Sequence, residues 1–285
     1  MQLAASTEMA YLVWVSGGGC DGCTATVLSA AEPSLEDLLL GHVPDAPTLE
    51  IIHPYFFFDS GARYAGWLAR AAAGQLSSFV LVVEGALYAP TEQGQFDSLT
   101  INEAGESVTT LDWVKALAPQ AAAVIALGSC AAWGGIPAAA GAFAPVQTID
   151  EVLGQAFVSR SGLPVVKLPG CAPTGAGFVE TLTHVFLHLA QLVPLELDAQ
   201  GRPTWLYQRE AYPLPPRADY APAVGYGLRE RPQALCPVPT HGWTQGLGGC
   251  TRVGGGCIAC TEPNFADQYL KWARPDAGLG RKDEG

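Results

Sequence analysis

Charge is scarce in this sequence. Only 15% of its 285 residues are Asp, Glu, Lys or Arg, against 49% apolar. A chain so poor in charge has little surface to give to water. The shortage suggests a face buried against a partner, although a large self-contained core would use the same composition. Basic residues are the scarcer sign: 15 Lys and Arg against 27 Asp and Glu leave a net charge of −12. That balance argues against a nucleic-acid partner, which needs a basic face. Long apolar runs are missing too. A membrane span needs about 20 apolar residues, whereas residues 11–15, 79–83 and 121–127 have the length of buried strands. Residues 1–10 carry no basic residue and no leader-length apolar stretch. Neither an export signal nor a transmembrane segment is therefore expected, and the expected location is the cytoplasm.

Glycine, proline and cysteine, by contrast, are plentiful. The 33 Gly and 22 Pro gather late in the chain and mark a second half rich in irregular backbone. The eight cysteines are Cys20, Cys23, Cys130, Cys171, Cys236, Cys250, Cys257 and Cys260. A disulfide scaffold is typically short and exported. A long chain expected in a reducing compartment is read instead as using grouped thiols for metal or redox chemistry.

Residues 11–192 alternate short apolar runs with helical stretches. Strands are predicted at 12–16, Leu49–Ile52, Phe79–Glu84, 122–127 and 163–168, and helices at 24–31, 35–40, 62–73, 111–117 and 177–192. Strands alternating with helices argue for an α/β fold with a mainly parallel, doubly wound sheet, whose working residues lie in loops past the strand carboxyl ends. The first four cysteines obey that rule. Cys20 and Cys23 follow the first strand, Cys130 follows the strand ending near Leu127, and Cys171 follows the strand ending at Leu168. Each stands beside a glycine, which permits close approach to a bulky group. Four converging thiolates suit zinc or an iron–sulfur cluster. A thioredoxin-like reading of Cys20 and Cys23 would leave Cys130 and Cys171 without a task.

Three of these segments resemble the cluster loops of nickel–iron hydrogenase small subunits. They are Leu12 to Cys23, Gly128-Ser129-Cys130-Ala131-Ala132-Trp133-Gly134-Gly135-Ile136-Pro137 and Leu168-Pro169-Gly170-Cys171-Ala172-Pro173. Val83-Glu84-Gly85-Ala86-Leu87 is similar to the family's strand-end motif between them. The resemblance runs over residues 11–265. It implies a flavodoxin-like doubly wound parallel sheet, with Cys20, Cys23, Cys130 and Cys171 holding a proximal four-iron four-sulfur cluster. Oxygen-tolerant relatives carry two extra cysteines here, at positions matching Gly22 and Gly135, so that device is not expected. The run from Cys250 to Phe265 resembles the family's medial-cluster motif, and Cys236-Pro237 resembles the start of the same cluster. Many members have proline where this chain has Cys250, and three cysteines then hold a three-iron cluster. With Cys236, Cys250, Cys257 and Cys260 present, the resemblance implies a second four-iron cluster of lower potential.

The family's distal cluster uses one histidine and three cysteines ahead of the medial set. Between Cys171 and Cys236 this chain has no cysteine, so the distal cluster is expected to be absent. His184 and His188 stand there at zinc-compatible i, i+4 spacing, but packed or hydrogen-bonded histidines explain them as well. His241 reads as a neighbour of the second cluster or a surface group, and His42 and His53 as structural or surface groups. Glu84 is a candidate interface or proton-path residue, or else a carboxylate capping nearby amides.

The expected domains are residues 1–193, a flavodoxin-like domain holding the proximal cluster, and residues 194–270, a smaller, largely irregular cluster-binding domain. Residues 271–285 are expected to form a flexible tail. The expected function is electron relay between a partner large subunit, which carries the nickel–iron centre, and an external acceptor protein or quinone, with hydrogen oxidation favoured. Alternatives are the small subunit of a regulatory hydrogen-sensing hydrogenase and an unrelated redox or zinc protein. A further relative of the fold, in quinone-reducing respiratory complexes, has two adjacent cysteines in its first loop and lacks the Cys257–Cys260 motif.

Overall fold

The computed structural model describes residues 9–32, 34–55, 61–91, 98–102, 105–139, 145–208, 235–243, 247–250, 258–263 and 265–266. In chain order the elements are β1 (Ala10–Ser16), α1 (Gly22–Leu28), α2 (Leu35–Leu39), β2 (Leu49–Ile52), α3 (Gly61–Ala72), β3 (Phe79–Glu84), β4 (Leu87–Tyr88), β5 (Ser98–Ile101), β6 (Ser107–Thr109) and α4 (Thr110–Leu117). There follow β7 (Ala123–Leu127), α5 (Gly128–Trp133), β8 (Val146–Gln147), α6 (Ile149–Leu153), β9 (Val166–Leu168), α7 (Gly175–Leu189) and α8 (Val238–His241).

Five strands form one parallel sheet in the order β2-β1-β3-β7-β9, the flavodoxin-like doubly wound order. Its strands are buried on both faces, which is why they read as continuous apolar runs. Alternation within β1 divides the core: Leu12 and Trp14 face α1, α2 and α7, while Val13 and Val15 face α3 and α4. Two short antiparallel pairs, β4 with β8 and β5 with β6, lie outside the sheet.

Register matters more than length for the site. Ser16 pairs with Glu84, Glu84 with Leu127, and Leu127 with Leu168. Four strands therefore end level, and the loops after β1, β3, β7 and β9 leave from one line. The strand order reverses between β1 and β3, which opens the crevice where such sheets bind their ligands.

Three helices carry capping boxes: Ser34 with Asp37 on α2, Thr109 with Asp112 on α4, and Thr148 with Glu151 on α6. The strand expected at 163–168 is only Val166–Leu168. Ser159 draws Leu163 into a loop through Ser159 N–H to Leu163 C=O (2.7 Å) and Leu163 N–H to Ser159 Oγ (3.2 Å). The last long helix stops at Leu189 rather than 192. Gln191 takes a left-handed turn (φ 61°) and Leu192 N–H caps Leu187 C=O at 2.9 Å. Among the described residues no helix is long and apolar enough to cross a membrane.

Candidate metal centre

Cys23 and Cys130 do not lie in loops. Cys23 is in the first turn of α1 and Cys130 is in α5, whose first residue directly follows the last of β7. Cys20 precedes α1 and Cys171 lies in the turn between β9 and α7. The four thiols meet at the crevice. Burial pushes Cys23 far above its ordinary value, helped by the Glu84 carboxylate and the facing thiols of Cys130, Cys20 and Cys171. Burial raises Cys130 to about 12, with Cys171 and Cys20 adding to the rise, and burial and Cys20 raise Cys171. Thiols so placed cannot ionise together by themselves; a cationic group in their midst makes four thiolates tolerable. Among the described residues no three His, Cys, Asp or Glu side chains gather tightly enough to hold a single metal ion. The donor set therefore fits a group larger than one ion. Cys20 and Cys171 are exposed, Cys23 and Cys130 half-buried, so the cage is open on one side.

Glycine shapes this cage. A Cβ on Gly128 (φ 85°) would stand 2.5 Å from Cys23 Sγ, and one on Gly135 (φ 57°) 2.7 Å from Cys130 Sγ. Gly22 comes within 3.3 Å of Cys20 Sγ by the same measure. The two positions matched to extra cysteines of oxygen-tolerant relatives thus do lie against the first set of thiols.

Glu84 is 2% exposed and caps α1. Its Oε1 accepts Thr24 N–H (3.1 Å), and its Oε2 accepts Trp14 Nε1–H (3.0 Å) and Thr24 Oγ1–H (2.5 Å). Beyond Thr24 lies His53, read from sequence only as structural or surface and here 1% exposed. Its Nε2 is 3.2 Å from Thr24 Oγ1, and its Nδ1 accepts Tyr55 N–H at 3.1 Å. Since Thr24 gives its one hydroxyl proton to Glu84, the ring is neutral with its proton on Nε2. Burial agrees, lowering His53 to about 4. Tyr55 Oη–H then reaches Asp21 Oδ1 at 2.9 Å, between the first two cysteines. The signal in sequence was Asp21 itself, a charge set inside a Cys-x-x-Cys.

The second set is held differently. Cys236 is buried against Val238 and Ala259, with Trp243 beside them. Burial raises Cys260, with Cys236 the next cause, and Cys171 and Cys250 also act on it. Cys236, Cys250 and Cys260 therefore converge, next to Cys171 of the first set. Cys257 and the segment 209–234 lie outside the described residues, as does the expected tail at 271–285. Arg202 clamps this region: Nε donates to Asp198 Oδ2 (2.7 Å) and Nη1 to Glu262 Oε1 (2.8 Å), while Leu235 N–H also reaches Glu262 Oε1 (3.1 Å). Tyr207 Oη–H anchors the same stretch to Pro169 C=O at 2.7 Å.

The remaining histidines take structural places. His184 stacks on Trp205 with centroids 4.3 Å apart, and His188 Nδ1 lies 3.1 Å from Val193 C=O, so the i, i+4 pair is packed and hydrogen-bonded. His241 Nε2 faces Glu180 Oε2 at 3.7 Å, and His42 Nδ1 faces Asp37 at 3.5 Å.

A flavodoxin-like sheet with thiols at its switch point, followed by a second thiol-bearing segment, defines a redox protein of the iron–sulfur class. Residues 20–185 match the family described as NADH ubiquinone oxidoreductase, 20 Kd subunit, and residues 230–272 match the family described as the C-terminal region of the NiFe/NiFeSe hydrogenase small subunit. The actinobacterial-type NiFe-hydrogenase structure from Ralstonia eutropha H16 superposes with a TM-score of 0.83 at 32% identity, over 94% of this chain and 82% of that one. The small subunit of the periplasmic [NiFeSe] hydrogenase of Desulfomicrobium baculatum is 28% identical over 280 residues, 91% of this chain and 85% of the relative. An uptake hydrogenase small subunit of Azotobacter chroococcum is 26% identical over 275 residues, 90% of this chain and 70% of the relative. The chain belongs to the nickel–iron hydrogenase small-subunit family. The match over residues 230–272 separates it from the respiratory-complex relatives that share the sheet. Membership makes it part of an oxidoreductase, implies iron–sulfur clusters on this chain, and implies a large-subunit partner that carries the nickel–iron site.

Proposed function

We propose that this chain relays electrons from hydrogen oxidation through two four-iron clusters to an external acceptor, with no distal relay. Cys20, Cys23, Cys130 and Cys171 would hold the first cluster, and Cys236, Cys250, Cys257 and Cys260 the second. The observation that carries this reading is the meeting of the two thiol sets, with Cys171 acting on Cys260. Each cluster, when bound, supplies one-electron storage. The chain's own residues do the rest: glycines let backbone approach the sulfurs, amides donate to them, and the sheet end excludes water from Cys23 and Cys130. Cys20 and Cys171 stand at the open side of the cage, where the large subunit would cover them. The favoured direction, uptake, rests on likeness to a relative that bears that name. Location in the cytoplasm remains a proposal from the sequence, tested by fractionation, since the Desulfomicrobium relative is named periplasmic.

Co-purification with mass spectrometry of the partner tests the assembly, and a large subunit with two Cys-x-x-Cys motifs is the expected companion. About eight iron and eight acid-labile sulfide per chain is expected for two four-iron clusters; zinc without sulfide would sink the reading. Dye-linked hydrogen turnover by the complex separates a catalytic enzyme from a slow sensor that captures a kinase. Cys250→Pro should convert the second group to a three-iron form with its own paramagnetic signal. An unchanged spectrum would remove Cys250 from the ligand set.

A further inference from the structure

The two thiol sets touch along a seam that the cluster assignment leaves unexplained. Ser129, beside Cys130, is 1% exposed. Its Oγ–H donates to the carbonyl of Cys260, while its Oγ accepts Gly170 N–H at 2.9 Å and its own N–H donates to Gly170 C=O at 3.1 Å. One short side chain thus ties together the residues flanking Cys130, Cys171 and Cys260. Next to it, the backbone N–H of Cys171 donates to the sulfur of Cys260. Trp133 Nε1–H, at the far end of the same helix, donates to Thr261 C=O at 3.2 Å and holds the seam from the other side.

We propose that the Cys171 N–H to Cys260 Sγ contact is the electronic bridge between the two thiol sets, and that Ser129 is the positioning residue that keeps it closed. This rests on the two-cluster reading above. Tunnelling decays more slowly along covalent bonds and a short hydrogen bond than across a gap. From Cys171 Sγ the route runs through Cβ, Cα and the amide N–H to Cys260 Sγ, with one hydrogen bond and no solvent jump. The transfer balances as a single electron: the group on Cys171 is oxidised by one, the group on Cys260 is reduced by one, and no proton crosses. A hydrogen bond to a ligand sulfur also helps set the potential of the group it serves, so the bridge joins coupling to driving force. Without the Ser129 hydroxyl, Gly170 N–H and Cys260 C=O lose their shared partner in a dry site, and the seam relaxes apart.

The test uses the intact complex with its partner, unaltered and as Ser129→Ala and Ser129→Thr. Iron and sulfide content, the paramagnetic spectrum of the fully reduced protein, and hydrogen-driven reduction of a viologen dye are read in all three. Ser129→Ala should keep its full iron content, lose the exchange splitting between the two reduced groups, and slow dye reduction about tenfold, the usual scale for a lost supporting hydrogen bond. Ser129→Thr, which retains the hydroxyl, should restore both. Full iron with unchanged splitting in Ser129→Ala overturns the bridge alone, as does a loss that threonine fails to restore. Loss of iron from Ser129→Ala reduces Ser129 to a brace and also overturns it. Fewer than about eight iron in the unaltered protein sinks the two-cluster reading and the bridge together.

Discussion

The first four cysteines hang from the level ends of buried strands, whereas the later ones lie on a segment with little regular structure of its own. Around Cys23 and Cys130 the sheet, two helix starts and the Glu84–Thr24–His53 hydrogen bonds fix the backbone whether or not a metal is present. Around Cys236 and Cys260 the described residues form two small apolar clusters, Cys236 with Val238 and Ala259, and Ala139 with Phe265 and Ala266. Cores this small stabilise little, so order there depends on clamps such as Arg202 and on the bound group itself. One region is built to receive a metal group; the other is in part built by it.

The largest expected effect sharpens that contrast through glycine. Gly128→Ala would press a Cβ onto Cys23 Sγ at a backbone angle side chains avoid, and it should empty the first site, lowering iron content by about four per chain. Gly248→Ala places the same kind of strain beside Cys250 (φ 70°) but meets no atom within 4 Å. It should cost only about 1 kcal/mol and keep the iron. Equal iron loss from both would break the contrast. Next comes Arg202→Met, which strands Glu262 and Asp198. Removing one partner of such a buried pair costs about 3–5 kcal/mol. Limited proteolysis should cut the second region first and leave residues 10–190 intact.

Acid should act on the first region. His53 falls from an ordinary 6.5 to about 4 on folding, so the unfolded chain binds the extra proton between those values. Stability is therefore full above about pH 6.5 and is lost as pH falls toward 4, by up to about 3 kcal/mol. His53→Leu should flatten that slope in chemical denaturation of the metal-free chain; an unchanged slope would assign the acid sensitivity elsewhere. The smallest change is Thr109→Ala, which removes a helix cap far from either thiol set. It should lower stability by about 1 kcal/mol and leave the spectra untouched.

How much of this was legible in the sequence follows the range of the contacts. Leu49–Ile52 and Phe79–Glu84 are found at their full lengths because an unbroken apolar run bounded by polar residues is a local signal. The helix that holds Cys130 is six residues long and lacks a side-chain cap, so nothing local announces it. The Cys-x-x-Cys spacings and the glycines beside the thiols point to the candidate site. What escapes are its supports: Ser129 meets a residue 131 positions away and His53 one 29 away, and periodicity carries no trace of such pairings. The sequence suits Glu84 equally to a proton path and to a cap, and three donors from β1 and α1 fill its carboxylate.

The level ends at Ser16, Glu84, Leu127 and Leu168 have a consequence for how such a protein diversifies. Because the strands deliver their loops to one line, each loop can lengthen, shorten or exchange its cargo without shifting the register of its neighbours. Novelty at this edge is modular: a lineage can rewrite one connection at a time while the sheet beneath keeps its inheritance.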